Sequence, residues 1–376
     1  MVLAAALSAP VAAAASGWSV SRSLSPPGAS SSSLSGVSCV STKDCVAVGS
    51  FQPAMGASGT LAERWNGTRW SIQPMPPTAS ESGSLFGVSC PSATVCIAAG
   101  AQGGGDLEER WDGSTWSADA RPYGPPLAGV SCVTSADCTA VGALYCLSGS
   151  CGYGFYGLGL EHWNGFRWSS EKVVRQQGAY PTGVSCPSRA ACFAVGYLLE
   201  SPPLGGSWSG APLALRWNRG RWLVQSTLGH GGLSGVACWS ASGCFAVGGS
   251  VVPLVQELDG GPPTAGRPLI EGWDGKRWSL TRGSTGWSGT LAGIACASQD
   301  ACTAVGSGSS WSYAERWNGA GWSRQHTSRP IGAMSTSLSA VSCPSPTTCI
   351  AVGSYKDATG QQRALVERWT ANGGSR

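Results

Sequence analysis

Candidate chemistry in this 376-residue chain is sparse and widely separated. Three histidines, His162, His230 and His326, stand far apart, and no two of them are close enough in sequence to suggest a metal pair. Hydrolysis or lysis of a glycosidic bond needs two carboxylates flanking the bond. The acids outside the regular pattern of the chain are Asp106, Glu200, Glu257, Asp259 and Asp357, and nothing in the sequence brings any two together beyond the neighbours Glu257 and Asp259. Aromatic residues in irregular stretches, Tyr153, Tyr156, Trp208 and Trp311, can stack on a sugar or cover a partner at low entropic cost. Together with His230, Glu257 and Asp259 they form the candidate binding set. No cofactor and no metal is expected, and no catalytic residue is assigned.

Sixteen cysteines carry the strongest signal. Seven pairs share the spacing Cys-x5-Cys: Cys39 and Cys45, Cys90 and Cys96, Cys132 and Cys138, Cys186 and Cys192, Cys238 and Cys244, Cys296 and Cys302, Cys343 and Cys349. An eighth, Cys146 and Cys151, lies outside the pattern and reads as the clamp of an inserted loop. Zinc prefers tight Cys-x2-Cys clusters or Cys with His, whereas an even count at one repeated spacing reads as disulfides of an oxidising compartment. Each closes a short loop and contributes about 2 kcal/mol by loop-closure entropy.

The elements that must position these residues come from one repeated phrase. Its first copy is Leu34-Ser35-Gly36-Val37-Ser38-Cys39, then Cys45-Val46-Ala47-Val48-Gly49, a variable stretch, Glu63-Arg64-Trp65-Asn66-Gly67 and Trp70-Ser71. Seven copies follow one another, each read as four strands, A to D, bounded by Gly, Pro, Ser and Asn. Between C and D, Asn66-Gly67, Asp112-Gly113, Asn164-Gly165, Asp274-Gly275 and Asn318-Gly319 suggest two-residue type I′ turns, with Asn218-Arg219 the exception. Such turns would set the two tryptophans of each hairpin diagonally on one face. Fourteen of the eighteen tryptophans hold these two positions, which makes them core packing before anything else.

The seventh copy ends at Trp369 without a second tryptophan, and Gly17-Trp18-Ser19 near the other end supplies the missing phrase. An N-terminal strand that completes the last unit closes the array into a ring. The expected fold is all-β, a seven-bladed β-propeller of four-stranded blades with one disulfide per blade. Residues 17–376 form its single domain.

Val46-Ala47-Val48-Gly49, Trp65-Asn66-Gly67 and Trp70 followed by Pro74-Met75-Pro76 resemble the kelch repeat, and the whole unit is similar to a Cys-paired propeller repeat of secreted bacterial proteins of unassigned function. One Gly in place of two, Trp where kelch has Tyr, and the cysteines depart from kelch. The resemblance implies a propeller and no particular function; the paired His and Tyr ligands of a kelch-type copper oxidase are not found. Asp112-Gly113-Ser114-Thr115-Trp116 is similar to a sialidase Asp-box but is one residue short.

Antiparallel order puts the A–B and C–D turns at one end of the ring and the B–C and D–A connections at the other. The first set is constant in length; the second varies from 8 to 22 residues between the strand-B Gly and the strand-C acid. Binding on a rigid scaffold concentrates in variable loops, so a site is expected at the B–C and D–A end. The recurring arginines before the strand-C tryptophans suggest inter-blade pairing with Glu63, Glu109 and their equivalents, and His162 replaces one of them as scaffold.

With 24 basic and 20 acidic residues and no basic run, the chain has no electrostatic footprint for nucleic acid. No stretch is apolar for long enough to span a bilayer, so membrane insertion is not expected. Residues 1–16, apolar then Ala-rich, read as a truncated secretory signal, which places the protein outside the cytoplasm, secreted or in the cell envelope, as a monomer. The leading reading is a recognition or scaffold module binding a glycan or extracellular protein. The alternatives are a carbohydrate-active enzyme using loop carboxylates and a purely structural envelope protein.

Overall fold

Every Cys-x5-Cys phrase folds as an antiparallel A–B hairpin, and every Trp-x4-Trp phrase as the C–D hairpin beside it. The computed structural model describes residues 17–77, 81–121, 124–145, 155–171, 178–200, 209–218, 220–250, 266–284 and 288–371. It contains seven four-stranded antiparallel sheets, the blades of a β-propeller. Blade one consists of strands Ala29–Ser41, Asp44–Pro53, Gly59–Trp65 and Trp70–Ile72. Blade seven takes Ser335–Ser345, Thr348–Lys356 and Gln362–Thr370 from the end of the chain and Gly17–Ser21 from its beginning, with Trp18 directly opposite Trp369.

Seven disulfides, one per blade, clip strand A to strand B with Cα atoms 3.9 to 4.1 Å apart. They fit an oxidising environment. Cys146 and Cys151 lie outside the described residues.

Strand A carries a β-bulge in every blade. In blade one Leu34 pairs with Gly49 and Gly36 with Val48, which leaves Ser35 extruded. The bulge brings the Ser33 carbonyl so close to Gly49 that an added Cβ would overlap it, and the same holds at Gly100, Gly142, Gly196, Gly248, Gly306 and Gly353. The other glycine of the phrase sits at the blade-to-blade contact: a Cβ on Gly36 would lie 3.0 Å from the Gly87 Cα of blade two, and one on Gly293 2.9 Å from Ala340. Small residues there let the innermost strands approach around the ring.

The serine before the first cysteine welds neighbouring blades. The Cys90, Cys132, Cys186 and Cys238 N–H groups donate to Ser38, Ser89, Ser131 and Ser185 of the preceding blade at 3.0 to 3.1 Å. Cys39 N–H donates to Ser342 at 3.0 Å, across the junction that closes the ring. Blades five and six have Ala237 and Ala295 at this position. Ser342→Ala should cost about 1 kcal/mol, the net value of one such bond, read as a lower urea midpoint with an unchanged slope.

The apolar core lies between blades. Val46, Val48 and Ala62 of blade one pack on Leu85, Val88, Leu107, Trp111 and Trp116 of blade two. On its other side Leu34, Ala47, Leu61, Trp65 and Trp70 meet Ile350, Val352 and Val366 of blade seven. The tryptophans are core, as expected, but their register is different. Trp65 stands directly opposite Trp70, and the ring pairs of six blades have centroids 5.7 to 5.9 Å apart. The turn is therefore four residues, Asn66 to Arg69, with Gly67 at positive φ (93°). The Asn66 side chain is the cause: its Oδ1 accepts from the N–H groups of Thr68 and Arg69, and Asp112, Asn164, Asp274 and Asn318 repeat this at 2.8 to 3.0 Å. Asp112 is thereby explained as a turn former, its carboxyl drawn down to about 2 by these donors. Blade four pairs one step further, Asn218 with Arg221.

Candidate functional site

Strands B and C run past the recurring strand-B glycine toward the variable end, so the free connections are shorter than the sequence spacing suggests. In blade two Gln102 pairs with Gly105, leaving a two-residue turn, Gly103-Gly104. Around blades six and seven three connections are tied together: Met334 N–H donates to the Lys356 carbonyl at 2.8 Å, and Thr336 N–H to the Ser310 carbonyl at 3.0 Å. Between them lies a polar groove of about 220 Å³, lined by Ser307, Ser310, Ser337, Ser354, Lys356 and Gln362 among others. Beside it in the chain, Ile331 is fully exposed (105%) and Met334 is 60% exposed. Met55, on the B–C connection of blade one, is 89% exposed. Single exposed apolar side chains are ordinary on a protein surface; two on one connection beside a groove are where a contact surface would be sought first.

Of the candidate residues, Trp311 belongs to this region. Its ring carries the Arg329 guanidinium 3.8 Å from the centroid, a cation–π contact that joins the blade-six turn to the next D–A connection. His230 is exposed in the D–A connection that enters blade five. Tyr156 falls on strand C of blade three, Phe155–Trp163, and not in a loop. Tyr153, Trp208, Glu257 and Asp259 lie outside the described residues.

The acids have different roles from those the sequence suggests. Asp357 caps the B–C turn of blade seven, accepting from the N–H groups of Thr359 and Gln361 and from Arg363 Nε. Asp106 is on strand C and buried, with carboxylate oxygens of Asp106, Glu108 and Glu161 within 4.8 Å of one another between blades two and three. Acids do come together here, three of them, but all are buried inside the protein.

The recurring strand-C glutamates are fully buried and do not pair with the recurring arginines. Four of them accept a backbone N–H from the connection entering their own blade: Leu24 to Glu63 at 3.3 Å, Leu228 to Glu271 at 3.2 Å, Ser284 to Glu315 at 3.1 Å and Ser328 to Glu367 at 2.9 Å. The donor is always six residues past the strand-D tryptophan. In blade two that residue is Pro76, which has no N–H, and Glu109 accepts from Thr60 Oγ1 at 3.0 Å instead. Burial raises the carboxyls of Glu63, Glu109 and Glu271 to about 7 and that of Glu367 to about 8.

The arginines point to the opposite face of strand C, as alternation requires, but meet a different partner one pleat below the next glutamate. Arg64 lies over Trp111 of blade two at 5.3 Å, with its Nη2 2.9 Å from Asp44 and 2.8 Å from the Ala93 carbonyl. At this junction the side chains of the A–B and C–D end are consumed by blade-to-blade packing.

No family model matches the chain, and no curated protein matches it. Solved structures do. A YCF48 bound to D1 peptide superposes with TM-score 0.56 at 10% identity, covering 94% of this chain and 96% of that one. YCF48 from Cyanidioschyzon merolae gives 0.53 at 13% identity, covering 94% and 99%. The RRP9 WD40 repeats give 0.59 at 12% identity, covering 95% and 98%. At these identities the likeness shows the fold: a seven-bladed, all-β propeller. Among the described residues no helix is long and apolar enough to cross a membrane.

Proposed function

We propose that this protein is an extracytoplasmic recognition propeller that binds a polypeptide segment at the face formed by the B–C and D–A connections. The observation that carries the reading is the pair Ile331 and Met334, exposed beside a hydroxyl- and Lys356-lined groove on a frame that is otherwise closed by disulfides and inter-blade bonds. Extended peptides are held by main-chain hydrogen bonds in polar grooves with apolar side chains at the rim, and a solved propeller of this shape carries a peptide. Export in this reading is directed by residues 1–16.

The test is selection of a displayed peptide library against the oxidised chain, with a glycan array run in parallel. Ile331→Ser combined with Met334→Ser should abolish enrichment of the selected peptides, at least tenfold in affinity, with Tm unchanged because both side chains are already in water. Glycan binding without peptide binding would replace the polypeptide by a sugar, and peptide binding untouched by the double variant would move the site elsewhere.

A further inference from the structure

On the opposite face, two junctions between blades lack the arginine that the repeat supplies elsewhere, and one of them is left unfilled. At four junctions the strand-C arginine of one blade covers the strand-C tryptophan of the next: Arg64 over Trp111, Arg110 over Trp163, Arg216 over Trp273 and Arg316 over Trp369, with ring distances of 5.3, 5.8, 5.3 and 3.4 Å. The guanidinium is received by recurrent positions. The residue before the second cysteine of its own blade accepts from it, as Asp44 does, and so does the residue after it, as Thr303 does from Arg316 Nη1 at 2.9 Å. The carbonyl three residues before the second cysteine of the next blade completes the set, Ala93 at 2.8 Å and Pro346 at 3.2 Å.

Between blades three and four the same positions are held by Asp137, Thr139, Arg189 and Trp217, so the acceptors and the ring are retained. The arginine is not: His162 stands in its place, and its Nε2 goes no further than Asp137 Oδ1, at 2.8 Å. Among the described residues no cation lies over Trp217. The Arg189 side chain, 71% exposed, itself lines the cleft and donates from Nε to Asp137 Oδ2 at 2.6 Å, so both Asp137 oxygens are engaged. What remains is a cleft of about 470 Å³ lined by Asp137, Thr139, His162, Glu171, Arg189 and Trp217, against about 340 Å³ for the junction of blades six and seven, where the strand-C arginine, Arg316, is part of the lining. Glu171 adds a second carboxylate to the wall and is fixed there by the Trp222 Nε1 donor at 2.9 Å. The junction after blade five also lacks the arginine, having Gly272, but Phe245 fills it with its ring 5.2 Å from Trp317. With Asp137 taken up by His162 and Arg189, an aromatic face, the Glu171 carboxylate and a hydroxyl remain among the described residues at blades three and four, a combination that suits a planar, delocalised cation better than a compact ammonium.

We infer that the cleft between blades three and four binds a guanidinium, presented as an arginine side chain of a partner polypeptide. It is a second contact, on the face opposite the one proposed above and independent of it. The partner's arginine would occupy the position that the chain's own arginines take at other junctions, stacked on Trp217 with N–H groups toward Glu171 and Thr139.

The oxidised full chain titrated with acetyl-Gly-Arg-Gly-amide should give saturable binding by calorimetry. The citrulline peptide, equal in shape but uncharged, should bind at least tenfold more weakly. His162→Arg, which supplies the guanidinium from within, should abolish binding of the arginine peptide while raising Tm. Glu171→Gln should weaken binding severalfold in a chain that still folds. Equal binding of arginine and citrulline peptides, no saturation, or undiminished binding to the His162→Arg variant would overturn the site. Methylguanidine binding as tightly as the peptide would overturn a polypeptide as the occupant.

Discussion

Gly49→Ala is expected to destabilise the protein by about 3 kcal/mol or more, the upper range for overpacking a core. The new methyl would overlap the Ser33 carbonyl, a backbone atom that no rotamer change can move aside. That carbonyl is fixed in turn by the bulge at Ser35, between fully buried Leu34 and the inter-blade contact of Gly36. Gly321→Ala provides the control: its added Cβ has nothing within 4 Å, so the substitution should be close to neutral. Chemical denaturation of the two variants side by side separates close approach from the general cost of removing a glycine.

Stability should also fall as pH rises from 5 to 8, against the usual behaviour of surface carboxylates. Glu63, Glu109 and Glu271 titrate near 7 in the folded protein and Glu367 near 8, against 4.5 for an unperturbed glutamate, because burial disfavours the ion. Between those values the unfolded chain has released protons that the folded chain still holds. Unfolding therefore releases protons in this window, and raising the pH favours it. A shift of this size corresponds to about 3 kcal/mol for one carboxyl. The contribution is fully present below pH 4.5 and is lost through pH 7 to 8. Glu367→Gln keeps an acceptor for the Ser328 N–H and cannot ionise, so its urea midpoint should change less between pH 5.5 and 8 than that of the parent and should exceed the parent's at pH 8.

The ring itself was legible because its signals are local and repeated: the cysteine spacing, the paired tryptophans, and the phrase around Trp18 that completes the last blade. Side-chain partnerships were harder to read. Asn66 signalled a turn correctly, but its carboxamide also accepts two backbone donors, which lengthens the turn and sets Trp65 opposite Trp70. Glu63 and Arg64 looked like charge partners for neighbouring blades, yet the arginine reaches only the level of Trp111, one pleat away from Glu109. The true partner of the glutamate was present as a spacing, six residues past the strand-D tryptophan, but a backbone N–H has no residue type to betray it; Pro76 marks the position, by failing to donate. His162 was visible as an exception. What it leaves open depends on Thr139, Glu171 and Trp217, which meet only across the junction.

The disulfides and the closing strand differ in how far apart their partners lie along the chain. Cysteines six residues apart find each other as soon as their hairpin emerges, in all seven described pairs, so oxidation can follow synthesis blade by blade with the correct partner always the nearest. Gly17–Ser21, by contrast, is made first but pairs with Gln362–Thr370, made last. Until then blade seven lacks its outer strand and blade one its neighbour. The protein is thus locked locally from the start but finished globally in a single late event, and any truncation before Gln362 should leave a properly oxidised, open chain of blades.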